Sequence, residues 1–217
     1  MRSHRNGFTL VELMISIVIL SLISTATVFS LRTTRENDEL NTAARLLAGD
    51  IRNVQARALA ARNVRMCTIG GGSQRVCEDE NTSVIACTGS CTPLPPPRFG
   101  MRLEDGREGY LLFADVNVED WRWTNTEETL LARSLNPLGG GKVQIDELLT
   151  DVGTLAVADV GVGRQNGTMR IEACGETGLP SCSPSEPRTL LITLRHGTSG
   201  KTITVDMNAV TGRVSIQ

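Results

Sequence analysis

Phe8-Thr9-Leu10-Val11-Glu12-Leu13-Met14-Ile15-Ser16 opens an apolar run that continues to Leu31, and its reading decides the fold. Glu12 is the only charged residue in it, and from Leu13 to Leu31 there is none for 19 residues. As helix those residues span roughly 28 Å, close to one hydrocarbon core. Before the run, Met1 to Gly7 is polar, with Arg2 and Arg5 and no acid. That asymmetry predicts an amino terminus kept in the cytoplasm and a remainder that is exported. A cleaved secretory signal and a plain membrane anchor are two readings of such a segment. Neither explains a carboxylate four residues inside it, where a charge costs about 2.5–3.5 kcal/mol on insertion scales. The carboxylate needs a partner.

The helical pattern continues past Leu31. Leu40, Ala43, Ala44, Leu47, Ile51, Val54, Ala58 and Leu59 recur at spacings of three and four, with Arg, Glu and Asp between them. That is one apolar face on an amphipathic helix. Proline is absent until Pro93, and Gly49 is the only glycine between Phe8 and Gly70. Gly49 reads equally as a bend, a close contact or a tolerated residue. A single helix from about Phe8 to Arg62 is expected. Residues 8–31 form its membrane half, 32–62 its amphipathic half, and 63–217 a β-rich globular domain.

After Arg65 the pattern turns to strands. They are expected at Val64–Ile69, Val84–Cys87, Gly109–Phe113, Thr129–Leu135, Thr154–Val160, Thr168–Glu172, Arg188–Arg195, Lys201–Asp206 and Val214–Ile216. The clearest signal is Thr189 to Leu194, a Gly197–Gly200 turn, then Thr202 to Val205 in period-two alternation. Pro93 to Pro97 reads as a stiff loop. The expected fold class is α+β, one long helix packed on an antiparallel sheet.

Composition narrows the function. Lys+Arg 22 against Asp+Glu 24 leaves −2, so a polyanion site must be a local patch. Two Trp, one Tyr and four Phe argue against an aromatic-lined pocket. With His4 and His196 as the only histidines, most histidine-based metal and triad chemistry is excluded. No metal, cofactor or catalytic set is expected, and the composition points away from an enzyme.

Six cysteines, Cys67, Cys77, Cys87, Cys91, Cys174 and Cys182, all follow the membrane segment. In an exported domain an even count reads as three disulfides. Short loops favour Cys87–Cys91 and Cys174–Cys182, leaving Cys67–Cys77; a Cys-only zinc site is the alternative. Asp115-Val116-Asn117-Val118-Glu119-Asp120 alternates oxygen ligands like a calcium loop but lacks its glycine and its closing glutamate, so a solvated acidic turn is expected. The stretch Glu104–Thr129 has eight acids against Arg107 and Arg122, net −6, and should face solvent. His196 is expected at a surface or turn position. Gly139-Gly140-Gly141-Lys142 is a loop without the phosphate-loop pattern. From Pro187 onward, Arg188, Arg195, Lys201 and Arg213 oppose Asp206 alone, net +3. Such a strip on one sheet edge would give weak, sequence-independent contacts to double-stranded DNA.

Gly7-Phe8-Thr9-Leu10-Val11-Glu12 resembles the signal of type IV pilins and type II secretion pseudopilins. The resemblance implies cleavage after Gly7 by a membrane-embedded prepilin peptidase and N-methylation of Phe8. It further implies that Glu12 neutralises a terminal amine during assembly. Partners would be that peptidase, other pilins or pseudopilins, and the inner membrane. The globular domain would be periplasmic and would end in a pilus or pseudopilus. Within these families, Leu111-Leu112-Phe113-Ala114-Asp115-Val116-Asn117, the strand-rich domain and the Thr-Gly-Arg-Val ending are similar to the GspH/FimT group. That implies a minor pilin acting at the tip or in initiation, or a minor pseudopilin. Some members bind DNA through Gly-Arg-x-Arg; here Gly212-Arg213-Val214-Ser215 keeps the first arginine and loses the second.

Overall fold

The computed structural model describes residues 9–68, 74–77, 91–115, 129–137, 142–164, 167–174 and 187–217. Helix α1 runs unbroken over Leu10–Leu59. Thr9 starts it: its hydroxyl accepts the Glu12 N–H at 3.3 Å and its carbonyl accepts the Leu13 N–H at 3.2 Å. A Thr three residues before a Glu is the capping-box sequence, which satisfies a first-turn donor that has no helical acceptor. At the other end the Ala61 N–H donates to the Ala58 carbonyl and the Arg62 N–H to the Arg57 carbonyl. This is a Schellman closure, with Ala61 at φ 50° where glycine is usual.

The chain divides into two compact units, Met1–Asp38 and Glu39–Gln217. In the first, the large apolar side chains from Leu10 to Leu31 are all exposed, from 51% at Ile19 to 75% at Phe29. Ser16, Ser21, Ser24, Thr25, Thr27, Thr33 and Thr34 each donate their hydroxyl proton to a carbonyl three or four residues back. The helix is thereby apolar outward despite its hydroxyls.

In the second unit the helical face buries Leu40, Ala43, Ala44, Leu47, Ile51, Val54 and Ala58, as the spacing predicts, and Ala48 with them. Leu59 departs from it at 66% exposed. Apart from the helix's own neighbouring backbone, nothing described lies within 4 Å of a Cβ built on Gly49, and the helix passes through it, so Gly49 marks neither a break nor a close contact.

Three antiparallel sheets complete this unit among the described residues. A small one has the order β2 (Gln74–Cys77), β1 (Val64–Thr68), β3 (Cys91–Leu94). The first large sheet orders β10 (Met169–Cys174), β9 (Val157–Gly163), β4 (Arg98–Glu104), β5 (Gly109–Asp115) and β6 (Thr129–Ser134). The second orders β13 (Arg213–Ile216), β12 (Thr202–Asn208), β11 (Thr189–His196), β7 (Val143–Thr150) and β8 (Gly153–Leu155). One core joins the α1 face to both: Phe99, Met101, Leu103, Leu112 and Val160 from the first, Ile145, Leu148, Leu190, Ile192 and Val205 from the second. The α+β expectation holds.

Several elements differ from the sequence reading. The stretch Thr154–Val160 is two strands, β8 and β9, and β2, β3, β4 and β7 were not expected. Pro93 lies within β3 rather than in a loop; β3 is an edge strand, where a missing N–H costs no ladder bond. Val84–Cys87 lies outside the described residues. The β13 edge is closed from α1, where Arg52 Nη2 donates to the Val214 carbonyl at 3.0 Å and Gln55 Nε2 to the Gly212 carbonyl at 2.9 Å. Covering those carbonyls removes a template for strand addition.

Candidate functional site

Of the residues singled out at the amino terminus, Gly7 and Phe8 lie outside the described residues, whereas Glu12 sits in the first turn of α1. Its N–H is taken by the Thr9 hydroxyl. The position places its charge at the positive end of the helix dipole. The segment that follows it, within Leu10–Leu59, is long and apolar enough to cross a membrane by length and composition. A carboxylate at the start of such a helix is a charge that an apolar medium tolerates only with an opposite partner.

The basic strip is not one patch. Arg188 precedes β11 at the end where Thr189 faces Asn208, and Arg213 also faces Asn208. Arg195 and Lys201 lie at the opposite end, where Arg195 faces Thr202. The two pairs are separated by about 23 Å of strand. Arg195 is further engaged with Asp146 at 3.2 Å. The expectation of a single basic edge is therefore corrected: the residues are near in sequence but split by the hairpin's length.

The cysteine pairing is also corrected. Cys67 is bonded to Cys91, with Cα atoms 4.0 Å apart, because β1 and β3 place the two residues directly opposite. Neither Cys87–Cys91 nor Cys67–Cys77 forms, and Cys77 instead faces Arg65 on the far side of β1. Cys174 ends β10, while Cys87 and Cys182 lie outside the described residues.

Asp115 is not part of a solvated turn. It is 1% exposed at the end of β5 and accepts a hydrogen bond from Arg98 Nη1 at 2.8 Å. The rest of the calcium-like stretch, Val116 to Asp120, lies outside the described residues. Tyr110, Leu112, Phe113 and Ala114 are buried too, so the acidic region does not face solvent throughout. On the sheet face opposite the core, the register aligns Asp115 with Arg98, Phe113 with Gly100, and Leu111 with Arg102 and Asp159. Arg102 Nη1 donates to Asp159 Oδ2 at 3.2 Å. The Phe113 ring occupies the space where a Gly100 side chain would stand. Ion pairs thus flank an aromatic in a glycine cradle, a tie between strands rather than a reactive set.

His196 is buried rather than at the surface, although it does end a strand before a turn. Its Nε2 lies 3.2 Å from Glu39 Oε2, and its Nδ1 lies 3.2 Å from Ser199 Oγ. The row Ser199–His196–Glu39 has the order of a nucleophile, base and carboxylate. Yet Nδ1 also accepts the Ser199 N–H at 3.3 Å, so its lone pair is held by the turn and is not open to a hydroxyl proton. No group of three or more metal-ligating side chains exists among the described residues.

Sequence reasoning missed a buried acid that ties the helix to the sheet. Asp50 lies on the buried face of α1, where Tyr110 Oη donates to its Oδ2 at 2.7 Å and Arg133 Nε reaches it at 3.2 Å. Burial, then the Asp50 carboxylate, push the Tyr110 hydroxyl far up, so it stays a donor. The signal was available: Asp50 falls between Leu47, Ile51 and Val54 on the apolar stripe.

With this geometry in place, one comparison bears on it. Residues 2–28 match the prokaryotic N-terminal methylation motif. No curated protein and no solved structure matches the chain. The motif covers Gly7, Phe8 and Glu12 together, and supports a type IV pilin-like protein. The long amino-terminal helix with antiparallel sheets is consistent with a pilin-like fold. The motif implies processing by prepilin peptidase and assembly with other pilins.

Proposed function

We propose that the protein is a minor type IV pilin of the GspH/FimT group, cut between Gly7 and Phe8, N-methylated on Phe8, and built into the pilus at its tip or during initiation. Before assembly it is held in the inner membrane by α1 with its β-rich unit in the periplasm. The observation that carries this reading is the methylation motif over residues 2–28, which coincides with a helix bearing one first-turn carboxylate and then an exposed, charge-free apolar run. Cleavage creates an ammonium at Phe8, and Glu12 supplies the opposite charge. Either alone is costly in lipid, and pairing relieves both. The role is structural, not catalytic.

Mass spectrometry of the amino-terminal peptide of membrane-extracted protein tests it. The expected mature chain starts at N-methyl-Phe8, seven residues shorter than the 217-residue product. A start near Thr27 means an ordinary secretory signal and defeats the proposal.

A further inference from the structure

His196 is buried at the end of β11 with both ring nitrogens engaged, and it joins three elements. Its Nε2 lies 3.2 Å from Glu39 Oε2 on α1, and Glu39 is the first residue of the Glu39–Gln217 unit. Its Nδ1 accepts the Ser199 N–H at 3.3 Å in the turn before β12, with Ser199 Oγ at 3.2 Å. A peptide N–H can only donate, so Nδ1 carries a lone pair there. In a neutral imidazole the proton is then on Nε2, which donates to Glu39. The other charged residues around the ring are Lys142, ahead of β7, and Lys201, ahead of β12. The Lys201 carbonyl accepts the His196 N–H at 2.9 Å, and the Lys142 carbonyl accepts the Gly197 N–H at 2.8 Å. Arg195 points to the opposite face of β11 and is paired with Asp146. On α1, Arg35 and Glu36 stand one turn before Glu39, with Glu36 paired to Arg32 at 3.4 Å.

We infer that His196 is a pH-operated clasp: neutral, it holds the β11–β12 turn by the Ser199 N–H, and protonated, it releases that N–H and grips Glu39 more strongly. The proton comes from solvent onto the Nδ1 lone pair, and no covalent bond breaks. The Ser199 N–H then loses its acceptor and faces a donor. The new Nδ1–H has Ser199 Oγ within reach, so Ser199 changes from backbone donor to side-chain acceptor. At the other nitrogen the bond to the Glu39 carboxylate becomes one between two charged groups, the stronger class. Imidazole is the side chain that takes up such a proton between about pH 5 and 8. The hairpin stays closed meanwhile, because the Gly200 N–H donates to the His196 carbonyl at 2.8 Å and the Gly197 N–H to that of Lys142, and neither bond uses the ring. The inference does not rest on filament assembly: every group in it belongs to Glu39–Gln217, so processing at Gly7 and this response fail separately.

The test is amide hydrogen exchange, read residue by residue by NMR on the full isotope-labelled chain in detergent micelles and corrected for the intrinsic pH dependence of exchange. Between about pH 7.5 and 5 the protection of the Ser199 amide should fall about tenfold while that of Gly197 and Gly200 is kept. At the higher pH the ring nitrogens should show the Nε2–H tautomer. His196→Asn places an oxygen acceptor near the Nδ1 position and cannot gain a proton, so the pH response of Ser199 should vanish. Should that variant fold poorly, the wild-type series alone decides, with Gly197 and Gly200 as internal references. Glu39→Gln should lower the thermal midpoint more at about pH 5 than at about 7.5, since it removes the carboxylate that the charged ring grips. Unchanged Ser199 protection, an Nδ1–H tautomer, or a Glu39→Gln cost that shrinks in acid overturns the inference. So does an equal loss at Gly197 and Gly200, which would mean that the whole hairpin loosens rather than one bond.

Discussion

Tyr110 Oη donates to Asp50 Oδ2 at 2.7 Å, and this one bond ties strand β5 to the buried face of α1. A charge in the core is tolerated only if its oxygens are satisfied. Here the tyrosine and Arg133 share that task. Tyr110→Phe keeps the ring and removes the donor to a buried carboxylate, a loss of about 1.5–3 kcal/mol. Tyr110→Phe with Asp50→Asn should cost less than the sum of the two, because the residues act as a pair. Thermal or urea unfolding of the single and double variants measures this, and strict additivity would show that the bond is not a coupled one.

How much of this was legible in the sequence depends on whether a residue's partner lies on its own element. The helix was, because three- and four-residue spacing is local; even Asp50 advertised itself as an acid on an apolar stripe. Strand β7 was not. Its partner β11 matches Thr193 with Glu147 but Leu194 with Ile145, so Asp146 is an extra residue. That bulge puts two residues between the inward Ile145 and Leu148, which breaks period two. Strand β4 was legible and overlooked: Phe99, Met101 and Leu103 alternate cleanly, but a glycine and an arginine between them obscured it. The Cys67–Cys91 bond rests on strand register, which no spacing rule supplies, whereas the separation of Arg188 from Arg195 was legible because the two bound one expected strand.

Gly49 and Ala61 are each the wrong residue for their backbone. Gly49 is helical and exposed with open space at its Cβ position, so Gly49→Ala should stabilise by up to ~1 kcal/mol. Ala61 holds φ 50°, where a Cβ is strained, so Ala61→Gly should stabilise by about 1 kcal/mol. The same two residue types exchanged in opposite directions should both raise the thermal midpoint. A fall in either would mean that the local backbone does not govern that site.

Acid should act through Glu104. Burial raises its carboxyl, but the hydrogen bonds and charges of Arg102 and Arg107 outweigh that and hold it below the ordinary value of 4.5. A group depressed in the folded state contributes stability that is present above its unfolded pKa and is lost as pH falls through the folded one. Glu104→Gln should therefore lose least, relative to wild type, at pH below 4 and most near neutrality. Unfolding measured from pH 3 to 7 checks the sign; a gap between the two proteins that widens toward low pH would contradict it.

The bond between Cys67 and Cys91 closes a separation of 24 residues. A loop of that size restrains the unfolded chain by about 3 kcal/mol on the chain-entropy account. Cys67→Ser and Cys91→Ser should each destabilise by that order, and the double variant by no more than either alone. A non-reducing digest should yield one linked peptide carrying both residues. Recovery of Cys91 linked to Cys87 instead would restore the local pairing that short loops favour.

Glu12 has two separable duties, and substitutions can tell them apart. Its N–H caps the helix through Thr9, a backbone bond that every replacement except proline retains. In the proposed assembly role, its carboxylate supplies the negative charge that a new amine at Phe8 requires. Glu12→Gln keeps the shape and removes only the charge, so it should insert into membrane normally yet enter pili poorly. Glu12→Asp, which keeps the charge on a shorter arm, should recover part of the incorporation. Gly7→Val should block cleavage and leave a precursor seven residues longer, a separate defect visible by mass. Filament incorporation of each variant, judged by immunoblot of sheared pili against the membrane fraction, is the measurement. If Glu12→Gln enters pili as well as wild type, the amine has another partner and the pairing account fails.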